Sequence, residues 1–242
     1  MAIVKTSPTK HLLVDLDGTL LGNNALPLSV EFVKESMLSL NRFGGWRKSA
    51  SVLLAIQKEF STKGLRKNDI RIVELFAKKM ELSLEESRSV LRESLFVIFP
   101  KLEKYFFPIQ GAKEFLDWAK DHYELILATN PVWPPEIVEM RVKWAGIEPK
   151  LFSYMTHIRE MHACKPSAEY YNGILETKKL KAEECLLIGN DMKMDLPAQR
   201  VGIRVFIVGD YKKLTVLEGS RKDAAAWRGS YGHLKELLLG QG

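Results

Sequence analysis

The stretch His11-Leu12-Leu13-Val14-Asp15-Leu16-Asp17-Gly18-Thr19-Leu20 constrains this chain more than any other. Leu12, Leu13 and Val14 form an uninterrupted apolar run, the pattern of a strand buried on both faces. The run ends at a carboxylate, a second carboxylate follows after one leucine, and Gly18 then allows the chain to turn sharply. Two acids are therefore expected at the carboxyl edge of a buried parallel strand, where open α/β sheets bind ligands. Carboxylates crowded at an apolar strand end are costly alone, so a divalent cation, a lysine or a proton is expected to join them. Asp15 then suits the role of nucleophile or metal ligand, and Asp17 that of a proton donor to a leaving group. A turn built by local aspartate hydrogen bonds is the alternative.

Further along, three more apolar segments stop at polar residues. Tyr123 to Ala128 reads as a strand ending in Thr129-Asn130-Pro131, whose hydroxyl, amide and backbone N–H groups suit oxyanion oxygens. A third strand is expected over residues 152–158. It leads to Lys165, which precedes Pro166 and so is kept out of a helix in an extended loop. Residues 184–188 read as a fourth strand that ends in Gly189-Asn190-Asp191, with Asp195 four residues beyond Asp191. Oxygen ligands of that kind suit magnesium. A fifth strand is expected over residues 204–208. Short helices at Ala112, Phe115, Leu116 and Ala119, at residues 135–144 and at 170–180 alternate with these strands, the pattern of a parallel α/β sheet.

Between the first strand and Pro108 the pattern changes. Leu21 to Pro27 reads as a loop, followed by four helical stripes: Phe32, Val33, Met37 and Leu40; Val52, Leu53, Ile56 and Phe60; Ile72, Leu75 and Phe76; Val90, Leu91, Leu95 and Ile98. Gly44-Gly45 separates the first two, Gly64 ends the second, Asn68 caps the third, and Ser83 with Glu86 makes a capping box for the fourth. The organisation expected is a core of residues 1–22 and 107–242 with a helical insertion at 23–106. With 242 residues and 46% hydrophobic side chains, the chain is long enough for both. The net charge of +6 sits mostly in the insertion, which holds 15 Lys and Arg against 10 Asp and Glu. That excess fits an anionic ligand, while no nucleic-acid-binding motif accompanies it. Arg42, Arg47 and Lys48 flank the Gly44-Gly45 turn, and Arg47 is the expected substrate-binding lid residue. Cys164 and Cys185 lie in no C-x-x-C and read as reduced thiols. The spacing of His157, His162 and Cys164 matches no zinc site. No signal-peptide or membrane-spanning segment is apparent, so a cytoplasmic location is expected.

The order Asp15-x-Asp17-Gly18-Thr19, Thr129-Asn130, Lys165-Pro166 and Gly189-Asn190-Asp191 through Asp195 resembles the four motifs of the haloacid dehalogenase superfamily over about residues 11–210. The resemblance implies a Rossmann-like three-layer core with a central parallel sheet. The helical insertion is similar to the type 1 cap of phosphoglycolate phosphatase and β-phosphoglucomutase. It further implies a magnesium-dependent phosphatase that hydrolyses a small phosphorylated metabolite through an aspartyl-phosphate. Asp15 would be the nucleophile, Asp17 the acid and base, and Thr129, Asn130 and Lys165 the phosphoryl-binding groups, with Asp15, Asp17, Asp191 and Asp195 around the metal. The fourth motif more often begins Gly-Asp, whereas Asn190 follows the glycine here. An acid at Asp17 argues against dehalogenation, because a halide leaves without a proton. A sugar-phosphate mutase on the same core and a non-catalytic module using the basic insertion are the competing readings. Neither a nucleic-acid nor a membrane partner is expected.

Overall fold

The computed structural model describes residues 8–60, 66–217 and 224–240, so the end assigned to the second insertion helix at Gly64 lies outside them. Seven strands make one sheet: β1 (His11–Val14), β4 (Glu124–Leu127), β5 (Tyr154–Met155), β6 (Cys185–Gly189), β7 (Arg204–Val208), β8 (Thr215–Val216) and β9 (Ala226–Gly229). Two more strands, β2 (Leu21–Asn23) and β3 (Phe106–Pro108), form a separate antiparallel ribbon. The order in the large sheet is β5-β4-β1-β6-β7-β9-β8, parallel throughout except for β8 against β9.

Alternate residues of each strand point to opposite faces, and each face is sealed by helices. Leu12, Val14, Leu125, Leu127, Leu186 and Ile188 pack on one side with α5 (Ala112–Ala119), α6 (Pro135–Trp144) and α8 (Tyr231–Leu239). Leu13, Ile126, Leu187, Val205 and Ile207 pack on the other with Tyr170, Tyr171 and Ile174 of α7 (Ala168–Lys178). Burial on both faces is why these strands read as continuous apolar runs, and the result is a three-layer α/β core.

Among the described residues, four helices lie between β2 and β3: α1 (Ala25–Asn41), α2 (Gly45–Glu59), α3 (Asn68–Met80) and α4 (Leu84–Leu102). The capping box at Ser83 and Glu86 is formed at the start of α4. Asn68 is not a cap but the first residue of α3, with Lys67 before it. The segment expected as a loop from Leu21 to Pro27 is instead β2 followed by the first turn of α1. Its pairing partner lies more than eighty residues away, a long-range contact with no local signature. The third strand is shorter than the expected 152–158. Both cysteines are buried and unpaired, and among the described residues no helix is long and apolar enough to cross a membrane.

At the edge of the sheet remote from the aspartates, Glu124 accepts a hydrogen bond from Ser153 Oγ at 2.6 Å and pairs with Lys178 at 2.9 Å and His11 at 2.8 Å. The Ser153 bond, with Lys178 and His11, lowers its carboxyl to about 2. A folded-state value below the unfolded one contributes stability above about pH 4.5 that is lost as pH falls toward 2. Glu124→Gln is therefore expected to lower the urea midpoint at pH 7. The gap to the unmodified protein should close between pH 4.5 and 2, and a gap that stays constant with pH would refute the assignment.

Candidate active site

Strand β1 lies between β4 and β6, with Val14 opposite Leu127 on one side and Ile188 on the other. The chain therefore leaves the sheet at Asp15, Thr129 and Asn190 side by side, at the point where neighbouring crossovers diverge. The Asp15 N–H still bonds to Ile188 O at 2.8 Å, and Ala128 N–H to Val14 O at 2.7 Å. These ladder bonds hold the three strand ends in register.

Lys165 closes the arrangement from the loop before α7. Its ammonium donates to Asp15 Oδ1 and to Asp195 Oδ1, each at 2.7 Å, and all three side chains are buried. The Lys165 backbone N–H bonds to Asn130 Oδ1 at 3.2 Å, so the second motif positions the third. Burial pushes the Asp15 carboxyl up to about 6, against the pull of Lys165 and with the repulsion of Asp195 and Asp17. Burial alone would lower Lys165, but Asp15 and Asp195 outweigh it and hold the ammonium well above its ordinary value.

Each predicted site residue has a definite place. Thr129 is fully buried, its hydroxyl has no hydrogen-bond partner among the described residues, and its carbonyl accepts from Thr156 Oγ1 at 2.6 Å and Tyr170 OH at 2.8 Å. Asp195 Oδ2 accepts from the backbone N–H groups of Asn190 and Asp191 at 3.1 and 3.0 Å, so it braces the fourth motif while touching Lys165. Asp191 is exposed, and its Oδ1 accepts from the N–H groups of Lys193 and Met194 in its own loop. It is Asn190 that reaches the first motif. The Thr19 hydroxyl lies 3.1 Å from Asp15 Oδ2 and 3.3 Å from Asn190 Oδ1. Gly18, at φ +78°, permits this approach, because a Cβ there would fall on the Asn190 amide.

Arg47 is not brought to the site. It is exposed near the start of α2, and its neighbours in the turn, Arg42 and Lys48, pair with Glu93 at 3.8 Å and Glu81 at 3.1 Å. Glu81 ends α3, whose first residues Asn68 and Asp69 bond through their N–H groups to Met161 O and Ile158 O of the core. The Gly44-Gly45 turn therefore lies at the end of the bundle away from the core, and α1, 17 residues or about 25 Å long, separates the two. A basic turn is visible in a sequence, but the direction of the helix that carries it is not.

Sequence reasoning missed Arg141, which donates to Asp17 Oδ1 from α6 and is almost wholly buried. Its guanidinium carbon stands 5.6 Å from the centre of the Phe106 ring. A signal was present: Ile137, Val138, Arg141 and Val142 share the buried face of α6, so the arginine falls on an apolar stripe. Tyr231 was missed as well; from the C-terminal helix its hydroxyl donates to Thr19 O at 2.8 Å and fixes the loop after Asp17.

Asp15, Asp17 and Asp195 face two cations, Lys165 and Arg141, so the centre has one carboxylate more than it has cations, to be met by a proton or a further cation. Hard oxygen donors from Asp15 and Asn190 meet on one side of it, around Thr19. That donor set fits magnesium, which takes carboxylate and amide oxygens and keeps several waters. Among the described residues no group of three or more His, Cys, Asp and Glu gathers that could hold a metal ion by itself.

The same architecture occurs in solved structures. A 2-haloacid dehalogenase from Pseudomonas syringae pv. Tomato DC3000 is 17% identical at a TM-score of 0.64, covering 97% of this chain and 100% of its own. A HAD phosphatase from Thermococcus onnurineus is 18% identical at a TM-score of 0.58, covering 95% and 98%. A magnesium-bound structure of YfnB from Bacillus subtilis is 16% identical at a TM-score of 0.55, covering 96% and 99%. Among curated proteins no sequence matches this chain. The family profile of haloacid dehalogenase-like hydrolases matches residues 9–201, a span that holds Asp15, Thr129, Lys165 and Asp195. With those four side chains at one sheet edge and that profile over most of its length, this chain belongs to the haloacid dehalogenase-like hydrolase family.

Proposed function

We propose that the protein is a magnesium-dependent phosphatase that hydrolyses a phosphomonoester through a phosphoryl group carried on Asp15. The observation that carries this reading is Asp17. It is a second acid on the same loop, half exposed where Asp15 is buried, and gripped at one oxygen by Arg141. A proton carrier at the mouth of the site serves an alcohol leaving group and is superfluous for a halide.

In this reading an Asp15 oxygen attacks phosphorus in line with the ester oxygen; the P–O(ester) bond breaks as the bond to Asp15 forms. Asp17 Oδ2, which Arg141 leaves free, delivers a proton to the departing alkoxide. Asp17 then takes a proton from water as that water attacks the phosphorus and releases the Asp15 carboxylate. The Thr129 hydroxyl, buried and without a partner among the described residues, binds an oxygen of the transferring group, and Lys165 stabilises its charge. Asp15 and Asn190 would hold magnesium through side-chain oxygens, with Asp17 contributing its backbone carbonyl. Bound there, the cation offsets the repulsion between the Asp15 carboxylate and the phosphate oxygens. Residues 23–106 act as a lid over this centre, and the expected partner is a small phosphorylated metabolite in the cytoplasm.

The test is p-nitrophenyl phosphate turnover with magnesium, run beside chloride release from 2-chloropropionate. Phosphate release without chloride release is expected, and Asp17→Asn should lower it by about 10²- to 10⁴-fold. Chloride release, or full phosphatase activity in the Asp17→Asn variant, would overturn the reading.

A further inference from the structure

The helical insertion is packed at its far end and, nearer the core, leaves a cleft beside the contacts of Phe32 and Phe99 with Trp133. Leu40, Val52, Phe76, Met80 and Val90 fill the end away from the core. Toward the core the same helices enclose a cleft of about 930 Å³, walled by Met37, Ile56, Ile72 and Leu95 and floored by Trp133 and Ile158. Ligand pockets commonly have this volume and this lining.

The floor lies a few residues along the chain from the catalytic centre. Trp133 follows Asn130 by three residues, so their Cα atoms are no more than about 11 Å apart. The loop is folded back between them, with Val132 N–H bonded to Asn130 O at 2.9 Å. Trp133 O accepts from Ile158 N–H, and Ile158 O from Asp69 N–H at the start of α3, which ties the floor to the helices above it.

The charged part of the lining is mostly cationic: Arg88, Arg92 and Arg159 against Asp69. Arg88 pairs with Asp69 at 3.4 Å and Arg159 with Glu136 at 2.9 Å. Arg92, also in the lining, acts electrostatically on Glu136 together with Arg159 and stands 5.8 Å from the centre of the Phe96 ring. That excess of positive charge draws anions toward this face of the protein, and the aliphatic walls suit an apolar body.

We propose, resting on the phosphatase reading above, that this cleft receives the apolar portion of the substrate, so that the preferred substrate class is phosphomonoesters of medium-length aliphatic or aryl-alkyl alcohols. The phosphoryl group would sit at Asp15, Thr129 and Lys165, with the organic group passing Asn130 and Trp133 into the insertion.

The test is a series of n-alkyl phosphates from ethyl to octyl, with kcat/KM measured for the full-length protein with magnesium and p-nitrophenyl phosphate as reference. Because each methylene buried adds to binding, octyl phosphate is expected to exceed ethyl phosphate by at least about ten-fold. Within Leu95→Trp, which fills the cleft, that ratio should fall toward one. Met37→Trp provides the same reading from the opposite wall if the first variant does not fold. A ratio near one in the unmodified protein, or one that survives both substitutions, would overturn the proposal while p-nitrophenyl phosphate turnover left the phosphatase reading standing. Saturable binding of octanoate without any chain-length effect on turnover would make the cleft a separate effector site and also overturn it. Failure to hydrolyse any ester, p-nitrophenyl phosphate included, would remove the phosphatase reading and this substrate assignment together.

Discussion

Asp15→Asn will reduce magnesium-dependent turnover of p-nitrophenyl phosphate by about 10⁴-fold or more, the scale on which loss of an essential nucleophile is felt. The amide matches the carboxylate in shape, keeps its oxygen as acceptor for the Lys165 ammonium and turns its NH2 to the Thr19 hydroxyl, which can accept from it, so the loss belongs to the chemistry and not to the fold. A second readout separates a nucleophile from a mere metal ligand. The wild-type protein should form a hydroxylamine-labile phosphoprotein during turnover, and the variant should form none. The stability effect has the opposite sign. Burial raises the Asp15 carboxyl to about 6, so the folded state favours its neutral form, and this contribution is lost as pH rises through that value. In the presence of a chelator the variant should therefore have the higher thermal midpoint at pH 7.5, with the difference shrinking below pH 6. Turnover within ten-fold of wild type would end the assignment of Asp15.

What made Asp15 legible is that its signal is local. An apolar run that stops at an acid, with a glycine three residues on, is the imprint of a buried strand reaching the edge of its sheet, and both features sit within one short segment. The same holds for Thr129 and Lys165, each marked by a strand end or a proline next to it. Asn190 was harder, because its neighbours Asp191 and Asp195 are acids and only the folded loop shows which group turns outward. Asp195 spends one oxygen on backbone N–H groups and the other on Lys165, and Asp191 bonds back to Lys193 and Met194. That leaves the amide of Asn190 facing Asp15.

The elements that escaped sequence reading are those whose stability comes from distant partners. Strand β9 begins at Ala226, a residue with little strand preference, and exists because it pairs with β7 on one side and β8 on the other. The β2–β3 ribbon joins segments at the two ends of the insertion. Arg141 lies on an apolar helix stripe that reads as core packing until the fold brings Asp17 against it, and the exposed Arg47 reads as a lid residue until the bundle's direction is known.

The same dependence on distant partners makes Lys165 the position of largest combined effect. Its ammonium stands between two buried carboxylates that come from strand ends 180 residues apart in the chain. Lys165→Met keeps most of the side chain's volume but leaves Asp15 and Asp195 facing each other without a cation. Breaking a buried ion pair in this way costs about 3–5 kcal/mol, which is expected as a lowered urea midpoint in chelator. Two controls tie the loss to charge. Magnesium should restore part of the stability of Lys165→Met, because the cation binds the carboxylate that the ammonium left. Adding Asp195→Asn should restore more, and the double variant should be more stable than the sum of the single losses. Activity should fall by about 10²- to 10³-fold, the scale for removing one group that stabilises charge on the transferring phosphoryl, and Asp195→Asn should not recover it. A Lys165→Met variant as stable as wild type in chelator would mean that the three charges do not meet as described. The convergence of strand ends on one phosphorus would then have no physical basis.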